Sequence, residues 1–299
     1  MWWVSPRPAA GCFSACVLGA SALLAGSAAG AQQADGREAA RAVSTALCAD
    51  AYVLALGGPE DISALSWQVD QPVSAAPEWA RLQPRAWASP ERLLQIEGEV
   101  FVFGPGEAGV AARLERSGRT VHILSWVEDF PGVAANLRAL GEAWERPDHA
   151  EAAIAALEDR IEALSQRAAR RAALRQGAPE VVYLSASGAS AGSGTFIDAA
   201  IRIAGGRNAA AQAGLTGWGR SDAEFALRLS ADLVVTGFFR DGFVGIANDG
   251  ARHAAYRRLF EGAARLDLRS ADLVCAGPRL IEAAEAIADA LDRLTEDGR

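Results

Sequence analysis

From residue 42 onward, short apolar runs alternate with stretches in which apolar residues recur every three or four positions. The runs predict strands and the longer periodicity predicts helices. Residues 42–46 read as a strand entering a helix over 48–56, which Gly57-Gly58-Pro59 stops. Strands follow at 62–66, 100–103 and 120–124, with helices at 91–96, 108–116 (closed by Gly118) and 131–144. Then comes the longest periodic stretch. Ile154, Leu157, Ile161, Leu164 and Ala168 form one apolar stripe with charges between them, which predicts a single amphipathic helix from Asp148 to about Leu174. Such a helix is about 40 Å long. Beyond Gly177 and Pro179 the alternation resumes. A strand is expected at 181–185, a Ser/Gly-rich loop at 185–194, a helix at 196–204 ending in Gly205-Gly206, and a helix from Glu224. Strand 233–236, an aromatic loop at 238–243, helix 251–260, strand 272–275 and a last helix from Pro278 to about Leu294 complete the series.

One unit in this series occurs twice. Glu91 opens a helix, Glu99 follows eight residues later, four strand residues come next, and Gly104 closes the unit. Glu224, Asp232, Leu233 to Thr236 and Gly237 repeat it. A Ser stands just ahead of each Glu (Ser89, Ser221), and a Trp ahead of that (Trp87, Trp218). Alternating strands and helices predict parallel sheets covered by helices. The duplication predicts two similar lobes with a cleft between them. The expected fold is α/β: two Rossmann-like lobes with parallel sheets, joined by one long α-helix. The expected divisions are 41–146 for the N-terminal lobe, 147–176 for the connecting helix and 177–294 for the C-terminal lobe.

Composition narrows the partners. The chain has 299 residues and a net charge of −8, which argues against nucleic acid or an anionic membrane surface. Every basic residue is Arg. Residues 1–31 carry one Arg and no acid, an apolar, small-residue run from Cys12 to Gly26, and Ala29-Gly30-Ala31 before Gln32. That pattern predicts a cleaved secretory signal and a periplasmic product. No later segment is apolar and long enough to span a membrane. Only Cys48 and Cys275 survive cleavage. A disulfide between them would staple the cleft, and two buried free thiols are the expected state.

Leu47-Cys48-Ala49-Asp50, residues 62–67, the twin Glu units, Ala204-Gly205-Gly206-Arg207-Asn208 and Cys275-Ala276-Gly277-Pro278 occur in an order and spacing that resembles one family. It is the cobalamin- and iron-siderophore-binding proteins of ABC importers, and the resemblance covers nearly all of 41–294. It implies capture of a bulky iron chelate, heme or cobalamin between the lobes, with no bond broken and no cofactor, by a monomer. It also implies that one exposed Glu on each lobe docks onto arginines of the membrane permease, and Glu91 and Glu224 match those positions. An acid in a first helical turn is also favoured by the helix dipole, so its presence alone does not require docking.

Ligands of open α/β sheets lie at the carboxyl ends of the strands. Trp67, Trp87, Trp126, Trp218 and Phe239 fall at such loop ends, and Arg85, Arg220 and Arg240 sit beside them. These eight residues are the expected ligand-binding set, suited to a flat and partly apolar guest with anionic groups. A competing motif is Gly188-Ala189-Ser190-Ala191-Gly192, the nucleophile elbow of hydrolases, with Asp241 and His253 following in order. It would make the chain a secreted serine hydrolase using Ser190, although Ser185-Ala186-Ser187 separates the strand from the expected turn. Gly192-Ser193-Gly194 lacks the third Gly and the acid of a dinucleotide site. His122, His149 and His253 have no paired spacing, so no protein-held metal is expected.

Overall fold

The computed structural model describes residues 40–174, 177–185, 188–220, 223–237 and 254–296, without the side chains of Arg220 and 254–257. The N-terminal lobe runs β1 (Ala42–Ser44), α1 (Leu47–Leu56), β2 (Ile62–Ser66), β3 (Arg85–Ala86), α2 (Pro90–Leu93), β4 (Val100–Phe103), α3 (Ala108–Glu115), β5 (Thr120–Ile123) and α4 (Phe130–Ala143). α5 (Pro147–Leu174) follows. The C-terminal lobe comprises β6 (Glu180–Ser185), β7 (Ala189–Ala191), α6 (Phe196–Ile203), β8 (Arg207–Asn208), α7 (Ala209–Gln212), β9 (Trp218–Arg220), α8 (Ala223–Arg228), β10 (Leu233–Gly237), α9 (Ala254–Gly262), β11 (Ala264–Asp267) and α10 (Leu280–Glu296).

Each lobe is built on a parallel sheet, as the alternation of strands and helices requires. The strand orders are β3-β2-β1-β4-β5 and β11-β10-β6-β8. Taken from its other edge, the second sheet is β8-β6-β10-β11 and matches β2-β1-β4-β5 strand for strand. The twin Glu helices α2 and α8 therefore each lead into the strand that pairs with its lobe's first strand. The acid that follows each Glu by eight residues has the same task in both lobes. Glu99 Oε2 accepts the Arg41 N–H at 2.6 Å, and Asp232 Oδ2 accepts the Glu180 N–H at 2.8 Å. Both tie the start of the lobe's first strand to the end of the Glu unit.

The two-residue period of the strands sorts side chains into separate cores. Val100 and Val102 of β4 enter a large inner core, while Phe101 and Phe103 enter an outer cluster with Val43, Leu93 and Leu114. In β6, Val181 and Tyr183 point inward, and Val182 and Leu184 join an outer cluster with Ala226 and Val234. The inner core is shared by both lobes because α5 runs through it. Ala150, Ile154 and Leu157 of α5 join Leu137 and Leu140 of α4 there, and Leu164 continues it towards Ile287 and Leu291 of α10.

Beyond Leu157 ion pairs join the apolar contacts of Ile161 and Leu164 in attaching α5. Arg160, Arg167 and Arg171 lie on one stripe, facing Glu282, Glu285, Asp289 and Asp292 on one stripe of α10. Arg171 is 3% exposed and donates to Asp292 and to the carbonyls of Ala204 and Ala288. Gly205, with φ of +81°, ends α6 against this point, and a Cβ there would collide with Ala168.

Three expectations need correction. The Ser/Gly-rich segment contains a strand, β7, paired antiparallel with β9. The last strand is β11 rather than 272–275, where a 3₁₀ turn (Ser270–Asp272) forms instead. Asp272 is buried there and paired with Arg269 and Arg279, which a through-going strand would not permit, while the charges of β11 hid its strand character. Finally, Cys48 and Cys275 form a disulfide. The N-terminus of α1 and the segment before α10 meet at the lobe junction with Cα atoms 5.7 Å apart, within bonding reach. The Tyr52 hydroxyl donates to Ala276 O beside it at 3.1 Å. The lobes are thus linked by α5 and by a covalent bond.

Replacing Cys48 and Cys275 with Ser, or reducing the native protein, should cost about 2–5 kcal/mol of stability. Urea denaturation reads this directly, and an unchanged midpoint would exclude the bond as a restraint.

Candidate functional site

The register of the first sheet builds an aromatic platform. β2 and β3 pair in parallel with Leu65 opposite Arg85 and Ser66 opposite Ala86, so the next residues, Trp67 and Trp87, leave the carboxyl edge side by side. Their rings stack at 5.3 Å with an interplanar angle of 5°, and each is about 40% exposed. The Arg92 guanidinium lies over Trp87 at 5.3 Å, adding a cationic layer. Arg85 does not reach outward. It grips Asp70 through Nε at 2.7 Å and Nη2 at 2.8 Å, and donates to backbone carbonyls of Arg81 and Gln83. Its guanidinium holds the Asp70 carboxyl below the usual range and braces the 3₁₀ turn (Trp67–Asp70) that carries Trp67.

Trp126 stands in the segment after β5 and is 78% exposed. Asn136 anchors this segment by accepting the Ser125 N–H at 3.1 Å and donating to Ser125 O at 3.0 Å. Two residues on, Glu128 Oε2 accepts the Phe196 N–H at 2.9 Å, a bond from one lobe to the first turn of α6 in the other. In the second lobe Trp218 is half-exposed. It stands edge-on to Tyr183 at 6.2 Å and tilted on Phe196 at 5.1 Å. The Glu128 contact therefore joins the segment of Trp126 to the aromatic group of Trp218. Arg220 lies on β9 opposite Ala189, with its side chain outside the described atoms. Phe239 and Arg240 fall outside the described residues, as do Asp241 and His253.

Sequence reasoning missed Arg92, Glu128, Tyr183 and Phe196. Only Phe196 carries a local signal, following Thr195, whose hydroxyl caps α6 by accepting the Asp198 N–H. Glu128 and Tyr183 are brought in by tertiary contacts, and Arg92 by the short turn that folds α2 back over Trp87.

Glu91 and Glu224 are exposed on the first turns of α2 and α8. Glu91 accepts a hydrogen bond from its own backbone N–H and one from the Ser89 hydroxyl at 2.8 Å, which hold its carboxyl below the ordinary range.

A separate cavity of about 390 Å³ lies at the lobe junction, between α1, α5 and the segment before α10. Leu54, Leu137, Leu157 and Val274 line it, and Arg160 reaches it already paired with Glu282 and Glu285. None of the predicted aromatics lines it, so the aromatic edge is the better candidate for a flat guest. Asp50 on its wall accepts the Ser66 N–H at 2.9 Å and the Ser66 Oγ–H at 2.6 Å. Burial nonetheless pushes its carboxyl above the usual range.

The hydrolase motif is structural. Ser190 is fully buried on β7 and donates its hydroxyl to Tyr183 O at 2.7 Å. Gly192 has no side chain because Leu215 O passes where a Cβ would be. Among the described residues no cluster of three metal-ligating side chains occurs, and no helix is long and apolar enough to cross a membrane. His122 lies on β5, where burial lowers its basicity.

The family of periplasmic binding proteins matches residues 86–237, just over half of the sequence, and the chain belongs to it. The fold agrees. The periplasmic heme-binding protein RhuT of Roseiflexus sp. RS-1 is similar at 23% identity, over 86% of this chain and 99% of that one, with a TM-score of 0.66. A periplasmic heme-binding protein of Pseudomonas aeruginosa is 25% identical over 84% and 92%, with a TM-score of 0.65. The vitamin B12-binding protein BtuF of Vibrio cholerae is 19% identical over 86% and 98%, with a TM-score of 0.59. No curated protein sequence matches.

A fluorophosphonate probe should leave Ser190 unmodified in the native protein. Labelling at Ser190, read by peptide mass spectrometry, would reinstate the hydrolase reading.

Proposed function

We propose that this chain is the solute-binding component of an ABC importer, exported by the signal at 1–31 and working in the periplasm. It captures a bulky, flat metal chelate between its lobes and delivers it to a permease. The observation that carries this reading is the Trp67–Trp87 stack, two half-exposed parallel indoles at a carboxyl sheet edge. Such a surface loses water readily and offers a large planar contact to a guest of the same shape. Heme and corrinoid come before a ferric siderophore, in keeping with what the similar proteins bind. Trp126 and Trp218 would complete the aromatic contacts, with Phe239, Arg220 and Arg240 as further candidates, while Arg85 positions Trp67. Glu91 and Glu224 would meet cations of the permease. The lobes are held by α5 and by the disulfide, so closure on the guest is modest and no bond is broken.

Quenching of intrinsic tryptophan fluorescence by hemin, cyanocobalamin and a ferric siderophore tests the capture step. One of the three should bind, and Trp67→Ala with Trp87→Ala should weaken it about tenfold or more, equivalent to about 1.4 kcal/mol. Binding of none of them would refute the proposal. Delivery is tested separately. Glu91→Arg with Glu224→Arg should abolish chelate uptake by cells while Kd for the chelate stays unchanged. Normal uptake by that variant would remove the docking role.

A further inference from the structure

A lone exposed leucine on a protein surface carries no message. Two at equivalent points of a duplicated unit do. Among the exposed large apolar side chains of the described residues, Leu94 and Leu227 are 43% and 57% exposed. Leu94 follows Glu91 by three residues and Leu227 follows Glu224 by three, so in each lobe the leucine and the glutamate lie one helical turn apart on the same side. The residue between them that faces inward is buried in both copies, Leu93 in one and Ala226 in the other. Glu99 and Asp232 anchor the two units to their sheets in the same way, so the two turns are presented alike.

We propose that the Glu91–Leu94 and Glu224–Leu227 turns are a matched pair of docking knobs, each offering a carboxylate and an isobutyl group together. The inference rests on the importer reading and specifies the partner. It is the permease dimer, whose two receiving sites must each set a guanidinium or ammonium beside an apolar hollow. Charge argues for this occupant. Glu91 and Glu224 are both exposed acids, and the Ser89 hydroxyl holds Glu91 in place at 2.8 Å, so a cation opposite each suits this surface. An exposed ion pair in water contributes little by itself. An apolar group pressed into a hollow beside it excludes water and strengthens it, which is the arrangement of energetic centres in protein interfaces. The leucines thus supply what the glutamates lack.

The test uses the full mature protein and the permease–ATPase complex of a heme or corrinoid importer in nanodiscs. Association is followed by surface-coupled binding, and chelate affinity by fluorescence. Leu94→Asp with Leu227→Asp should weaken association about tenfold or more, while Leu94→Met with Leu227→Met stays within about threefold of the native protein. Chelate affinity should not change in either variant and the thermal midpoint should shift by only a few degrees at most, since both side chains are about half exposed. Native-like association of the Asp variant would overturn the inference and leave the importer role intact. Failure of the native protein to associate would sink both. A dimer of this chain in solution that the Asp variant dissolves would also overturn it, by assigning the knobs to self-association.

Discussion

The architecture depends on how one helix is fastened along its length. α5 spans both lobes; apolar packing runs along it, and its second half is additionally held by ion pairs. The first half is packed by Ala150, Ile154 and Leu157, which is non-directional and tolerates small adjustments. In the second half Leu164 continues this packing, and Arg160, Arg167 and Arg171 add ion pairs to the acids of α10, which fix rotation and register. The partly exposed pairs contribute little each, but Arg171 is different. Its guanidinium is buried and meets the carbonyl that ends α6 as well as α10, so the helix cannot turn without leaving a charge unpaired in the interior. The second lobe is thereby clamped to the rod, and the first lobe is packed onto it.

Much of this was legible in the sequence. The apolar stripe of α5 and the strands 62–66, 100–103 and 233–236 are periodic signals that tertiary contacts reinforce. The duplication was visible because the same spacing of acid, strand and glycine recurs, and the matching strand orders give that spacing its physical meaning. The strands that went unread are short or edge-placed. β3 and β8 have two residues each, too few to show alternation. β11 pairs Arg265 with Asp267 on an edge, where charge is tolerated and masks the pattern. The final strand was misplaced because 272–275 resembles one locally, whereas the pairing of Asp272 with two arginines is a tertiary matter.

The candidate aromatic site was partly legible. Trp67 and Trp87 could be placed at strand ends, but their stacking follows from the register of β2 on β3, which no local pattern encodes. Arg85 looked like a cation for an anionic guest, and its fork is instead closed on Asp70. Ser190 matched a catalytic motif letter for letter. Its environment, a buried strand with a carbonyl at hand, gives the same letters a purely architectural meaning. Motifs composed of Gly, Ala and Ser arise wherever two backbones pass closely, as Gly192 and Leu215 do here.

The bond between Cys48 and Cys275 joins residues 227 apart, near the two ends of the folded chain. It closes a loop that holds every strand after β1 and the whole of α5, so the constraint it places on the unfolded chain is large. The linkage is a tether as well as a brace: it keeps the two halves in one piece even if a surface loop between them is severed.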